Sequence, residues 1–144
     1  MAQHGLEMLD TTVQHTYEWI DELDALLKWN NRPRSFRLLR AVFHALRDCL
    51  PPAEIADLAS QLPALLRGVF YEGWRPARPH DHRCTRDEFL LKLNESFRND
   101  PVEESMAEAA QLTFDLLARK ISAGEIRHVL QTLPREVREL WLDG

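Results

Sequence analysis

The residues best suited to metal chemistry lie in one short segment, His80-Asp81-His82-Arg83-Cys84. Imidazole nitrogen and thiolate sulfur are good ligands for zinc and related metals, so His80, His82 and Cys84 form a candidate metal site. A structural zinc site uses four protein ligands, and no second pair with matching spacing follows. The alternative interpretation is a polar linker, in which Cys84 directly precedes a helix start at Thr85.

A second candidate is a row of basic residues at helical spacing: Arg37, Arg40, His44 and Arg47, called the basic stripe below. Guanidinium groups bind phosphates and carboxylates through paired hydrogen bonds, so the basic stripe is a candidate site for a small anion or an acidic partner. Two alternatives remain open. The stripe could pair with another helix of this chain or of a second subunit, or it could simply face solvent.

The chain has only two cysteines, Cys49 and Cys84. Cys49 continues an apolar helix face, and His44, five residues earlier, points to a different face. Cys49 is therefore predicted to belong to the core rather than to act as a nucleophile. Two cysteines do not make a disulfide framework, and we expect both to be free thiols, as in a reducing compartment.

No pattern indicates catalysis or a cofactor, and no glycine-rich loop could hold a phosphate. A formal net charge of -5 argues against a nucleic-acid-binding surface, which needs clustered basic residues. No segment approaches the ~20 apolar residues of a membrane span, and the first five residues lack the basic start of a secretory signal. We therefore expect a non-enzymatic cytoplasmic protein with no cofactor and no nucleic-acid or membrane partner.

The elements that position these residues repeat at a shift of about 70 residues. Pro52-Ala53-Glu54-Ile55 aligns with Ala123-Gly124-Glu125-Ile126, and Leu62-Pro63 aligns with Leu133-Pro134. The matched positions are mainly apolar, which indicates two copies of one core pattern. The residues opposite Arg37, Arg40 and His44 are Glu108, Gln111 and Asp115. This exchange of charge favours pairing between the two units, or between subunits, over the other interpretations of the basic stripe.

Each unit is predicted to contain two longer helices followed by two short ones, because apolar residues recur every three or four positions and prolines mark the breaks. Helix starts are expected at Thr85 and Ser122, each followed three residues later by a glutamate. The predicted fold is an all-α tandem repeat of two four-helix units, packed into one globular domain (1–144) around two central helices. The units are residues 11–72 and 85–144, the linker is 73–84, and the central helices lie near 36–50 and 106–121.

Several motifs together resemble a bacterial family, domain of unknown function 2267. In the first unit they are Leu50-Pro51-Pro52-Ala53-Glu54, Gln61-Leu62-Pro63 and Tyr71-Glu72-Gly73-Trp74-Arg75-Pro76. From Thr85 onward they are Thr85-Arg86-Asp87-Glu88-Phe89-Leu90, Gly124-Glu125-Ile126 and Leu133-Pro134-Arg135-Glu136. The resemblance covers nearly the whole chain after the first ten residues. It implies a helical tandem repeat in a bacterial cytoplasmic protein, and it brings no activity, cofactor or catalytic residue.

These features favour a non-enzymatic protein-interaction or structural module that binds a protein partner or a second copy of itself. The alternative is a sensor domain that binds a small anion at the basic stripe or a metal at His80, His82 and Cys84.

Overall fold

A computed structural model describes residues 6–76 and 84–144 of the chain. Over these residues the protein is all-helical, with eight α-helices and no strand, so the predicted fold class is confirmed at that level. The helices are α1 (Glu7–Leu27), α2 (Arg32–Arg47), α3 (Pro52–Ser60), α4 (Ala64–Tyr71), α5 (Arg86–Ser96), α6 (Met106–Lys120), α7 (Ala123–Thr132) and α8 (Arg135–Leu142). None of the helices in the described ranges is both long enough and apolar enough to cross a membrane.

The helix starts follow the local sequence signals. The hydroxyl of Thr85 accepts a hydrogen bond from the Glu88 N–H at 3.1 Å, and that of Ser122 accepts one from the Glu125 N–H at 3.2 Å. Both predicted helix starts are therefore confirmed. Pro52 is the first residue of α3, where the missing N–H costs no hydrogen bond of the helix.

Helices α2 and α6 lie at the centre of the packing. Helix α2 packs against α1, α4, α5 and α6, and helix α6 packs against α1, α2, α5 and α8. Leu38, Leu39, Val42 and Leu46 of α2 are completely buried, as are Ala110 and Phe114 of α6. Burial around most of the helix circumference explains why α2 has an apolar surface wider than that of an ordinary surface helix.

Helix α1 begins at Glu7, before residue 11, where the first unit was predicted to start. It ends at Leu27 because Lys28 adopts a left-handed conformation, with φ of 60°. Its 21 residues are nearly twice the 11 of α5, the helix that aligns with it in the second half of the chain. The N-terminal turns of α1 therefore have no equivalent in α5.

Cys49 and Cys84 form a disulfide, so the prediction of two free thiols is wrong. Cys49 follows the end of α2 and Cys84 precedes the start of α5. Because α2 packs against α5, two residues 35 positions apart are brought to a Cα–Cα distance of 5.9 Å. Such a pairing depends on helix packing, which a count of cysteines does not reveal. The prediction that Cys49 lies in the core is confirmed, since it is 1% exposed.

Candidate functional site

The basic stripe divides into side chains with different surroundings. Arg47 is buried, and its Nη1 donates hydrogen bonds to the carbonyl oxygens of Phe70 at 2.9 Å and Glu72 at 2.6 Å. His44 Nε2 lies 2.8 Å from the carbonyl oxygen of Val69. These carbonyls belong to the end of α4, where the last carbonyl groups of a helix lack the usual N–H partner four residues on, although the Val69 carbonyl also accepts from the Glu72 N–H at 3.2 Å. Arg47 and His44 therefore fasten α2 to the C-terminal end of α4.

Arg37 and Arg40 form ion pairs nearer the surface. Arg40 makes two hydrogen bonds with the Glu72 carboxylate, at 2.8 and 3.2 Å. Arg37 and Arg34 share the Asp100 carboxylate, at 3.0 and 2.6 Å respectively. The Arg34 guanidinium, followed by that of Arg37, holds the pKa of Asp100 below its ordinary value.

The acidic partners of the stripe differ from those suggested by the repeat alignment. Arg37 does pair with the second half of the chain, but through Asp100 rather than Glu108. Arg40 pairs with Glu72 of its own half, whereas Gln111 donates a hydrogen bond to the Leu140 carbonyl at 3.2 Å. The alignment identified equivalent positions, but the acidic partners of Arg37, Arg40 and His44 lie elsewhere, at Asp100 and Glu72.

A cleft with a volume of about 270 Å³ lies between α2 and α5. Its lining, called the basic cleft below, consists of Arg37, Arg40, Ala41, His44 and Ser96. Three of the four basic-stripe residues thus face one concave surface, and Arg47 is excluded because it is buried against α4. The cleft is large enough for a small oxyanion, and its guanidinium groups have the chemistry to bind one.

Two residues of the predicted metal site, His80 and His82, lie outside the described residues. The third, Cys84, is bonded to Cys49, and a disulfide sulfur is not the thiolate that zinc prefers. Within residues 6–76 and 84–144, no group of three or more His, Cys, Asp or Glu side chains is arranged to hold a metal ion.

An exposed apolar row lies on the N-terminal part of α1. The α1 stripe consists of Leu6, directly before α1, and Leu9, Val13 and Tyr17 of α1. Leu9, Val13 and Tyr17 are separated by four residues and so share one side of the helix, and Leu6 continues the row at its start. Between 43% and 54% of each residue's surface is exposed. Leu65, at the start of α4, is also exposed and adjoins α1, because its N–H donates to the Thr12 hydroxyl at 2.9 Å. Contiguous apolar surface of this kind is typical of an interaction site.

Two glutamates form an unexpected buried pair between α3 and α7. Glu54 is 7% exposed and Glu125 is 9% exposed. Glu54 Oε1 and Glu125 Oε2 are buried without a hydrogen-bond partner. The pKa of Glu125 is raised to about 8, first by burial and then by the neighbouring Glu54. We call these two residues the carboxyl pair. Their contact was not predicted from the sequence, although the repeat alignment places Glu54 opposite Glu125, and that match of two acidic residues is the available signal.

The fold and these surfaces define a protein built only of helices in its described part, with an exposed apolar stripe and a basic cleft. The chain belongs to the family described as Uncharacterized conserved protein (DUF2267), which matches residues 16–140. The family resemblance drawn from the sequence motifs is therefore confirmed. No curated protein matches the sequence.

Proposed function

We propose that this chain is a non-enzymatic protein-interaction module whose partner binds the α1 stripe. The observation that carries the proposal is the exposure of three apolar side chains on one face of α1 and of Leu6 directly before it, continued by Leu65 of α4. A monomeric protein rarely leaves such a contiguous apolar surface in water unless the surface has a use. Leu6, Leu9 and Val13 of the stripe lie before the part of α1 that aligns with α5.

We further propose that the fold itself is a tandem duplication, which gives α1 its special position. Helix α1 packs against α2 and α4, and α5 packs in the same way against α6 and α8. Between the halves, α2 packs against α5 and α1 against α6. Exchanging the two halves turns the α2–α5 contact into the α6–α1 contact, and it turns the contacts within one half into those within the other. This is the pattern expected of a pseudo-twofold axis. The N-terminal turns of α1 break this symmetry, because α5 has no equivalent of them.

The partner that fits the α1 stripe is an amphipathic helix with an apolar face and basic flanking residues. Asp10 and Glu18 are exposed beside the stripe, and the whole chain carries a net charge of -5. Basic flanks would complement these charges, whereas a second copy would place acidic residues against acidic residues. Helices that bind in this way present apolar anchors at intervals of three and four residues.

The test uses a synthetic leucine-rich amphipathic peptide with lysine flanks as the probe, and the same apolar pattern with glutamate flanks as its counterpart. We expect the lysine peptide to bind and the double substitution Leu9→Glu/Val13→Glu to weaken its binding by roughly tenfold or more, since each lost apolar contact is worth about 1.5–3 kcal/mol. Calorimetric titration measures both affinities.

Leu91→Glu and Leu142→Glu are matched controls, because these leucines are at least as exposed as Leu9 and Val13 but lie on α5 and α8. Equal binding by the wild type and the α1 double variant would overturn the proposal. Light scattering during size-exclusion chromatography tests self-association. A wild-type dimer that the α1 substitutions dissociate would assign the stripe to a second copy and reject the heterologous partner.

A second candidate function is binding of a small oxyanion in the basic cleft. The specific observation is that Arg37, Arg40 and His44 line one concave surface of about 270 Å³. An anion there would compete with Asp100 and Glu72 for the two guanidinium groups, so its affinity is expected to be modest and sensitive to salt.

Inorganic phosphate is the probe for this candidate. Addition of phosphate should shift the amide NMR signals of α2 and of Ser96, and Arg37→Gln/Arg40→Gln should abolish the shifts. Arg127→Gln removes an exposed arginine from α7 and should leave the shifts unchanged. Shifts spread evenly over the surface, or shifts that persist in the α2 variant, would rule out this candidate.

A further inference from the structure

The carboxyl pair occupies equivalent places in two short helices. Glu54 lies in the first turn of α3 and Glu125 lies in the first turn of α7. These two helices pack against each other and bring together the two halves of the chain. Each carboxyl group is more than nine-tenths buried and has one oxygen atom without a hydrogen-bond partner. Buried polar atoms almost always have partners, so this pair requires an explanation.

A glutamate at this position commonly accepts a hydrogen bond from the N–H of the residue that caps the helix. Neither member of the pair is needed for that task. Ser122 is the residue that caps α7, and its N–H donates instead to Gln61 Oε1 at 3.2 Å. The residue that caps α3 is Pro51, which has no N–H to donate. Both carboxyl groups are thus free to turn into the interface between α3 and α7.

The charges around the pair do not neutralise it. The groups that act electrostatically on Glu125 are Glu54 and Asp57, and both oppose its ionisation. The guanidinium of Arg67 in α4 donates hydrogen bonds to the carbonyl oxygens of Ala59 and Leu62, each at 3.0 Å. Of the other charged or titratable groups on α7 and on neighbouring helix ends, Arg127 and His128 are exposed, Lys120 and Arg135 form ion pairs, and Arg138 is partly buried.

Two adjacent carboxylates in a buried site cannot both ionise without a cation, because each charge raises the energy of the other. Calcium and magnesium ions usually take six or more oxygen ligands, and a structural zinc ion takes four protein ligands. The described residues contain no group of three acidic or other ligand side chains arranged for a metal. The cation that such a closed two-carboxylate site can hold without further ligands is a proton.

We propose that Glu54 and Glu125 form a proton-binding site that joins the two halves of the protein, and that loss of this proton separates α3 from α7. One carboxylic acid donates its O–H to the neighbouring carboxylate, so the pair carries a single negative charge. When the proton leaves to water, two negative charges face each other in the interface. Separation of the helices then hydrates both carboxylates and relieves the repulsion.

The first test measures the titration directly on the unmodified protein. The side-chain ¹³C signals of glutamate report the ionisation of each carboxyl group as the pH changes. We expect one glutamate in the pair to titrate near the pKa of about 8 that burial and Glu54 give Glu125. If both glutamates ionise with ordinary acidic midpoints, the proposal is rejected, whatever any variant does.

The second test follows the helices by hydrogen exchange. In the separated state the glutamate should release its proton near the ordinary glutamate pKa, whereas in the packed state its pKa is about 8. The equilibrium constant for opening should therefore rise about tenfold for each pH unit between these two pKa values. After correction for the pH dependence of intrinsic amide exchange, the protection of the α3 and α7 amides should therefore fall from pH 5 to pH 8 and then level off. The amides of α2 and α6 should stay better protected than those of α3 and α7 at every pH, because separation of α3 from α7 leaves α2 and α6 folded and exchange there requires unfolding of the whole domain.

The double variant Glu54→Gln/Glu125→Gln keeps the size of both side chains but can carry no charge at the site, so its α3 and α7 protection should not depend on pH. Asp57→Asn is the graded control: it removes a repulsive charge and should lower the midpoint of the Glu125 titration without abolishing it. A pH dependence that persists in the double variant would contradict the proposal. So would recovery of protection at pH 8 on addition of Ca²⁺, Mg²⁺ or Zn²⁺, because the bound cation would then be a metal.

Discussion

Four basic residues share one side of α2, and burial decides what each of them does. Arg47 is 5% exposed and satisfies two carbonyl oxygens at the end of α4. Arg40 lies farther out, where half of its side-chain surface is exposed, and it pairs with Glu72. Charge-assisted hydrogen bonds in a buried site contribute much more than ion pairs exposed to water. Neighbouring arginines on one helix face thus have different energetic roles.

Arg47→Met should reduce the free energy of unfolding by about 2–4 kcal/mol, because it leaves the Phe70 and Glu72 carbonyl groups without their buried donor. Arg40→Met, the matched control, should cost less than about 1 kcal/mol because its ion pair is exposed. Urea denaturation measures both changes. Equal effects of the two substitutions would show that the α4 carbonyls do not depend on Arg47.

The sequence could predict that the basic stripe shares one helix face, because that follows from helical spacing. It could not predict which atoms face the stripe. The acceptors for His44 and Arg47 are backbone carbonyls, and every residue has one, so no side-chain type marks them. The carboxyl pair was hidden for a related reason: a glutamate three residues after a cap normally indicates a helix start, and that interpretation accounted for Glu125.

Among the elements, the disulfide connects the region after α2 to the region before α5. It closes a loop that contains α3, α4 and the segment that follows them. In the chain-entropy account, closing a loop of this length lowers the conformational entropy of the unfolded chain and so stabilises the folded state by about 4 kcal/mol. A persistent disulfide is also typical of oxidising compartments, which runs against the cytoplasmic setting expected from the cysteine count.

Reduction of this disulfide should lower the melting temperature, because the unfolded chain regains the freedom that the closed loop removes. A calorimetric scan with and without dithiothreitol measures the change. The double variant Cys49→Ala/Cys84→Ala should melt at the same temperature in both buffers. Two reactive thiols in denatured, unreduced protein, together with no effect of dithiothreitol, would be inconsistent with the bond.

Helix starts were predictable where a side chain caps the helix, as at Thr85 and Ser122. The start of α1 carries no such signal, since Leu6 precedes it and provides no side-chain hydrogen bond. The extension of α1 therefore escaped the sequence analysis, and with it the α1 stripe. Apolar spacing alone does not distinguish a face that contacts the core from one that contacts water.

For the whole molecule, the carboxyl pair and the surface ion pairs predict opposite responses to pH. The folded pKa of Glu125 is raised, so its stabilising contribution is complete below the ordinary pKa of about 4.5 and is lost as the pH rises toward 8. The pKa values of Asp21 and Asp100 are lowered by Arg32 and Arg34, so their contributions are lost as the pH falls through those lowered values.

The free energy of unfolding should therefore be greatest near pH 5 and should fall on the alkaline side by on the order of 3–5 kcal/mol. Urea denaturation at a series of pH values measures this profile. Glu54→Gln/Glu125→Gln should flatten the alkaline side and leave the acidic side unchanged, because Asp21 and Asp100 are still present. A flat alkaline side in the wild type would contradict the predicted contribution of Glu125.

The overall helical character and the family were predictable because apolar periodicity, prolines and caps are local features of the sequence. The contacts between the halves were not, because they depend on how eight helices pack. Asp100 illustrates the difference: it lies between α5 and α6, outside any helix, yet it binds both Arg34 and Arg37 of α2. Because Asp100 does not belong to a helix with a periodic apolar pattern, the sequence around it gives no signal of that role.

The hydrogen bond between Ser122 and Gln61 also implies an order of events during protein synthesis. Gln61 precedes Ser122 by 61 residues, and Pro51 at the equivalent end of α3 needs no such acceptor. Proteins made from the N-terminus can fold their first segments before later ones exist. Helix α3 can therefore complete its start without any residue of the second half. By the time α7 leaves the ribosome, the side chain that accepts the hydrogen bond of its capping residue has already been synthesised.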